Sequence, residues 1–281
     1  MTRYLWVFAL IPAGYVVALF ALYFFQGSLL FFPADVPKTQ VRAFGEKMGW
    51  RLVPIVADDG VQTNSWHSPA RGTEQGVVIY AHGNAGTVFG ALEWKAQLQN
   101  TGWHVLSVGY RGYPGSDGVP SETGLRQDIS AVYAYARAEL GIHPEQIVFH
   151  GRSLGGGLVG TVMLDLPNGG LIMESTFTSV TDRASELYPY VPVRWLLKHR
   201  FETAMRAPDY TQPVLIFHSA QDEVIPVAHG RSLRDQFPKA TYVELDDFDH
   251  NAVVLGVEET VTQNALSFLP VRGDIEQDTT E

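Results

Sequence analysis

Gly151-Arg152-Ser153-Leu154-Gly155 is the stretch of this chain whose residue types and spacing fit covalent chemistry. A serine hydroxyl is a weak nucleophile until a neighbouring base takes its proton. A glycine two places to either side lets the backbone turn sharply from a strand into a helix, which pushes the serine side chain outward. The pattern alone is weakly specific, so its context decides. Residues 147–149 before it are apolar and read as a buried strand, and residues 154–164 after it read as a helix. Gly156 and Gly157 weaken that helix, which points to close packing against a neighbour.

In such a strand–turn–helix context the acid and then the histidine follow the serine in chain order. Asp222, in HSAQDEVIP, comes just after the apolar run 214–217, at the sheet edge where ligands bind. Glu223 is the adjacent alternative, and a turn-capping carboxylate is the plain structural reading. His250, in DDFDHNAV, lies after the last expected strand. Of the nine histidines, His82, His150 and His218 also fall near strand ends, but among those near strand ends only His250 completes the order Ser, Asp, His. Asp247 and Asp249 read as solvated loop acids. The developing oxyanion needs backbone donors. The amide of Leu154, next to the serine, is one. The loop His82-Gly83-Asn84-Ala85-Gly86 supplies the other, assigned to Asn84 with Ala85 as alternative. A phosphate-cradling turn is the competing reading of this loop, but the lysine of such turns is missing.

These groups need a scaffold. Residues 51–56 and 61–66 flank Asp59-Gly60 and read as an antiparallel hairpin. Short β-branched runs follow at 77–80, 105–108, 147–149, 171–173, 214–217 and 241–245, without polar alternation, as in strands covered on both faces. Helical patterns lie at 87–99, 121–140 and 251–268. Together they predict an α/β fold, a mostly parallel central sheet with helices on both faces. Residues 175–207 are too long for a simple crossover. Pro189 and Pro192 break the stretch into short helices, read as a small lid over an apolar pocket, against an ordinary packed connection.

Residues 4–25 carry no charged side chain. As a helix they rise ~33 Å, close to the hydrocarbon thickness of a bilayer. Aromatic residues sit near both ends, and no small-residue cleavage site follows, so the segment reads as a single-pass anchor rather than a cleaved signal. The expected organisation is an anchor over 1–27, a catalytic domain over 28–272 and an acidic disordered tail over 273–281. Arg3 precedes the segment and the next basic residue is Lys38, which favours an exported, periplasmic catalytic domain. The apolar stretch 28–33 either lies on the membrane or packs on the domain, with packing favoured.

The net charge is -10 and no Lys/Arg run occurs, which argues against a nucleic-acid partner. The absence of cysteine removes disulfides, thiolate metal sites and cysteine nucleophiles. The chemistry itself needs no metal or cofactor.

Taken together, HGNAG, GYRGYPGSDG (109–118), PSETGLRQD (120–128), GRSLGG (151–156), ESTFTS (174–179), HSAQDEVIP (218–226) and FDHN (248–251) resemble the Bem-like, ABHD-type branch of membrane-anchored α/β-hydrolases, matched also by serine-aminopeptidase-type domains. The resemblance spans roughly residues 26–270. It implies the α/β-hydrolase fold, a Ser153–His250–Asp222 triad, and an oxyanion hole from the Leu154 and Asn84 amides. It also implies an acyl ester or thioester substrate, lipid-like or on a lipidated protein, met at the membrane bilayer. The loop 111–118 is expected to shape the pocket wall. The rivals are a peptidase or small-ester hydrolase with the same triad, and a catalytically silent, membrane-tethered binding protein. A Rossmann nucleotide binder fails for want of G-x-G-x-x-G after a strand.

Overall fold

A computed structural model of the chain describes residues 5–252 and 258–270. The expected acidic tail lies outside the described residues. In chain order the elements are α1 (Leu5–Leu30), α2 (Lys38–Lys47), β1 (Arg51–Val56), β2 (Gln62–Ser68), β3 (Gly76–Ala81), α3 (Leu92–Asn100), β4 (Trp103–Ser107), α4 (Glu122–Ala138), β5 (Ile147–Arg152), α5 (Leu154–Val162), β6 (Gly170–Glu174), α6 (Val180–Leu187), α7 (Val193–Leu196), α8 (Thr203–Arg206), β7 (Val214–Ser219), α9 (Val227–Gln236), β8 (Ala240–Leu245) and α10 (Glu259–Phe268).

The strands form one sheet in the order β1-β2-β4-β3-β5-β6-β7-β8. β2 is antiparallel to both β1 and β4, and all other neighbours are parallel. The apolar runs are continuous because successive side chains face opposite layers. Val77, Ile79 and Ala81 join the core on one face with α4, α5 and α9. Val78 and Tyr80 join the other with α3 and α10. In α4 the buried residues Leu125, Ile129, Val132 and Ala136 recur at helical spacing. Burying the larger of them contributes ~1.5–3 kcal/mol each. The Ser121 hydroxyl caps α4 by accepting the Gly124 amide, and Gly141, at φ +67°, follows its end.

Chain direction along the sheet reverses around β3 and β5. β3 connects outward to β4, and β4 crosses back to β5 on the other side of β3. The C-terminal ends of these two strands flank a crevice where ligands bind in open α/β sheets. Three of the site loops, after β3, β5 and β7, leave parallel strands at this edge, and so does the loop after β8.

Some expectations need adjusting. The helix foreseen over 87–99 starts only at Leu92, because residues 87–90 form a turn closed by the Gly90 amide on the Thr87 carbonyl. The closing helix foreseen over 251–268 is α10, while 253–257 lie outside the described residues. Helix α1 continues to Leu30, past the expected anchor boundary at residue 27. Of the stretch 28–33, Phe31 is buried in the domain core while Phe32 stays exposed, so packing on the domain holds in part.

Candidate active site

β5 runs directly into the Gly151–Gly155 motif. Ser153 sits between β5 and α5 with φ +52° and ψ -117°, a conformation that side chains other than glycine rarely adopt. The strain is held in place by packing. A side chain at Gly155 would lie 2.0 Å from the Ala81 carbonyl oxygen, and one at Gly156 would lie 2.3 Å from Thr176 Oγ1. The Ser153 amide donates to the Glu174 carbonyl at 2.9 Å, and Thr176 Oγ1 donates to the Ser153 carbonyl at 2.8 Å. Close packing therefore accounts for the glycines that α5 would otherwise avoid.

His250 Nε2 stands 3.1 Å from Ser153 Oγ, and its Nδ1 stands 2.7 Å from Asp222 Oδ2. The structure thus brings together the three side chains chosen from order along the chain, though 97 and 28 residues separate the pairs. Asp222 Oδ1 accepts the amides of Val224 (2.9 Å) and Ile225 (2.7 Å), which fixes the carboxylate. Burial alone would raise its pKa, but hydrogen bonds from His218 and His250 and the Ile225 amide outweigh that, holding the carboxyl well below the usual range.

The loop after β3 lies against the serine. A side chain at Gly83 would be 3.4 Å from Ser153 Cβ. The Gly86 amide donates to the Gly83 carbonyl at 3.0 Å, and His82 Nδ1 lies 2.8 Å from that same oxygen. Burial brings the His82 pKa down to about 4, so its ring is neutral near pH 7. Gly83, Asn84, Ala85 and Leu154 all line the cavity above Ser153. Leu154 opens α5, where amides have no intrahelical acceptor. The Asn84 side chain is engaged elsewhere, pinning the loop to the end of α1 and to Tyr113. Its Nδ2 donates to the Leu30 carbonyl at 2.5 Å, and Oδ1 accepts the Phe32 amide at 2.8 Å and the Tyr113 hydroxyl at 2.9 Å.

The remaining candidates separate cleanly. His150 is buried between Trp94 and Glu174. His218 backs the site, with Nε2 2.8 Å from the Ile225 carbonyl and 3.5 Å from Asp222 Oδ2. Asp249 accepts the Asn251 amide at 2.8 Å. Residues 111–118 do not line the cavity, contrary to expectation. Together with Tyr110 they brace the β3 loop from behind, where the Tyr110 hydroxyl donates to the His82 carbonyl at 2.9 Å and Tyr113 reaches Asn84. Arg152 was missed by sequence reasoning. Its Nη2 donates to the His250 carbonyl at 2.7 Å while Nε pairs with Glu174 at 3.4 Å, so it steadies the histidine loop. Its place inside the serine motif was the available signal.

The cavity holds about 610 Å³ and is mostly apolar, the size of a small-molecule site. Phe177, Val180, Leu187 and Val191 cover it from the segment foreseen as a lid, which forms the short helices α6, α7 and α8.

No family model matches the chain. It is 28% identical over 228 residues to an uncharacterized Mycobacterium tuberculosis protein, covering 81% of this chain and 79% of that one. It is 28% identical over 236 residues to the Arabidopsis thaliana alpha/beta hydrolase domain-containing protein WAV2, covering 76% and 77%. It is 31% identical over 206 residues to the lysophosphatidylserine lipase ABHD12 of Macaca fascicularis, covering 66% of this chain and 51% of the lipase. Among solved structures, an alpha-beta hydrolase from Vibrio vulnificus superposes with a TM-score of 0.67 at 20% identity, over 85% of this chain and 88% of that one. An esterase from Pyrococcus furiosus gives the same TM-score at 13% identity, over 85% and 96%. The chain has the α/β-hydrolase fold and is similar to proteins named as alpha/beta hydrolase, esterase and lipase.

Proposed function

We propose that the chain is a membrane-anchored serine hydrolase that cleaves a lipid-like acyl ester or thioester. The observation that carries this reading is the chain of contacts from Asp222 through His250 to a strained serine at the floor of an apolar cavity. Ser153 Oγ attacks the acyl carbonyl while His250 Nε2 takes its proton. Asp222 keeps Nδ1 protonated and stabilises the imidazolium. The amides of Leu154 and Asn84 donate to the oxyanion, each worth ~3 kcal/mol in the transition state. His250 then protonates the departing alcohol or thiol, leaving an acyl-serine. A water deprotonated by His250 attacks that ester, and the carboxylic acid leaves with Ser153 restored.

The substrate class draws support from the apolar cavity and from the lipase name carried by one relative. The anchor reading draws support from α1. It contains the stretch Leu10–Leu30, the one helix among the described residues long and apolar enough to cross a membrane. The charge bias around it supports an exported domain. A fusion of alkaline phosphatase to the C-terminus should then be active only through export, and an inactive, well-expressed fusion would reverse the orientation.

The direct test is labelling by a fluorophosphonate probe in detergent. Wild type should label and Ser153→Ala should not. Labelling that survives the substitution, or a folded wild type that never labels, refutes the assignment.

A further inference from the structure

The cavity above Ser153 has walls of two origins. One belongs to the hydrolase domain and to the cap that helices α6, α7 and α8 form over it. The other is the end of α1, which contributes Leu22, Gln26, Leu29 and Leu30. A helix that served only as a tether would meet lipid on every side. Instead Leu19, Leu22, Gln26 and Leu30, spaced for one helical face, are buried or half-buried, while Phe20, Phe24 and Phe25 stay exposed.

Gln26 is the first polar side chain after the long apolar run, and it is buried. Its Nε2 donates to the carbonyls of Tyr23 (2.9 Å) and Leu196 (3.2 Å), and its Oε1 accepts the Lys198 amide at 2.7 Å. The Lys198 ammonium lies 4.0 Å over the Tyr23 ring. A second tie joins the Tyr15 hydroxyl to the Tyr190 carbonyl at 2.6 Å. Eleven residues of helix separate Tyr15 from Gln26, so the cap follows α1 for ~16 Å along its axis.

That reach has a consequence for membrane depth. The 26 residues of α1 rise ~39 Å against a hydrocarbon core of ~30 Å. Only about two turns can stand clear of hydrocarbon at the domain end, and Tyr15 lies well inside that limit. The cap tip must therefore enter the leaflet beside the helix. Its surface fits that surrounding: Tyr190 is 89% exposed, Trp195 88% and Leu187 54%. Such an apolar, aromatic patch suits the membrane interface and is poorly matched to water.

We infer that α1 and the cap together build the acyl-chain site, which opens sideways into the leaflet and takes the chain of a membrane-resident amphiphile. This rests on the hydrolase and anchor readings above. The chain slides between Leu22 and Leu29 on one side and Leu187 and Val191 on the other, while the ester reaches Ser153 at the domain end. The anchor is thus a specificity element as well as a tether.

The test uses the full chain in phosphatidylcholine nanodiscs with umbelliferyl butyrate and umbelliferyl palmitate. Apolar contact along the site gives up to roughly fourfold in kcat/KM per buried methylene, so wild type should favour palmitate. Leu22→Trp, which fills the site from the anchor side, should cut the palmitate-to-butyrate ratio at least tenfold. Phe25→Trp, on the exposed face of the same helix, should leave the ratio alone. Fluorophosphonate labelling of each variant reports an intact serine site. The inference is overturned if labelled, active Leu22→Trp keeps the wild-type ratio, or if Phe25→Trp shifts it equally. A wild type that neither labels nor turns over either ester removes the hydrolase reading itself.

Discussion

Two buried carboxylates in this molecule, Asp222 and Asp128, belong to clusters that look alike in composition and differ in purpose. Asp128 is met by the Arg111 amide (2.9 Å), Nε (3.0 Å) and Nη2 (2.8 Å). The same guanidinium reaches Asp59 at 2.5 and 3.1 Å. This cluster ties the β1–β2 turn, the loop after β4 and helix α4, and every strong donor is matched within it. The Asp222 cluster is left open. Its far end is a histidine nitrogen facing a hydroxyl at the floor of a cavity. A buried charge is thus no mark of a functional site by itself; what marks one is a proton path that ends where a substrate can reach.

The electrostatics diverge as well. Burial raises the Asp128 carboxyl, and Arg111 offsets this only in part, so it titrates above its ordinary value. At Asp222 burial acts in the same direction, but His218, His250 and the Ile225 amide reverse the outcome.

The sharpest way to separate the clusters is to remove each carboxylate. Asp222→Asn should lower the kcat of the folded protein by about 10³–10⁴-fold, because the histidine loses its orientation and the charge that stabilises it. Asp128→Ala should spare kcat and cost stability alone. Stripping a partner from a buried ion pair costs about 3–5 kcal/mol, read as a lower denaturant midpoint, while the folded fraction keeps kcat within a few-fold. Comparable kcat losses in both variants would erase the distinction.

Acid should sharpen it further. The depressed Asp222 carboxyl contributes stability that is complete above its ordinary value of 3.8 and is lost as pH falls toward the folded value. The raised Asp128 carboxyl contributes with the opposite sign: its share is present at low pH and lost as pH rises through the folded value. Between pH 5 and pH 3 the thermal midpoint of Asp222→Asn should therefore fall less steeply than that of wild type. A steeper fall would contradict the assignment.

The smallest expected effect concerns the brace behind the β3 loop. Tyr113→Phe removes one hydrogen bond to Asn84, worth ~1 kcal/mol. About a fivefold loss in kcat with unchanged KM would place this bond in transition-state support. A loss confined to stability would make it framework, like Arg111.

Six strands were legible because apolar runs without polar alternation have few other uses, two more because they flank Asp59-Gly60, and the three candidate side chains because chain order constrains them. Helices α2 and α9 escaped notice. Their sequences, KTQVRAFGEK and VAHGRSLRDQ, are polar apart from a few packed positions, so periodicity gave little signal. The glycines and aromatics of the loop 111–118 suit a pocket wall as well as a brace. Which side of the β3 loop it takes depends on where β4 pairs, a long-range choice.

By itself the sequence determined which groups were candidates to react: a serine in a turn that glycines permit, an acid and a histidine placed in the required order, and an apolar segment long enough for a bilayer. These are local properties of residue type and spacing. The tertiary structure alone decided that His250 reaches Ser153, that Arg111 and Asp128 belong to the framework, and that a half-buried stripe of α1 lines the cavity. Each of those depends on side chains tens of residues apart meeting at ångström distances, and such contacts are set by how whole elements pack.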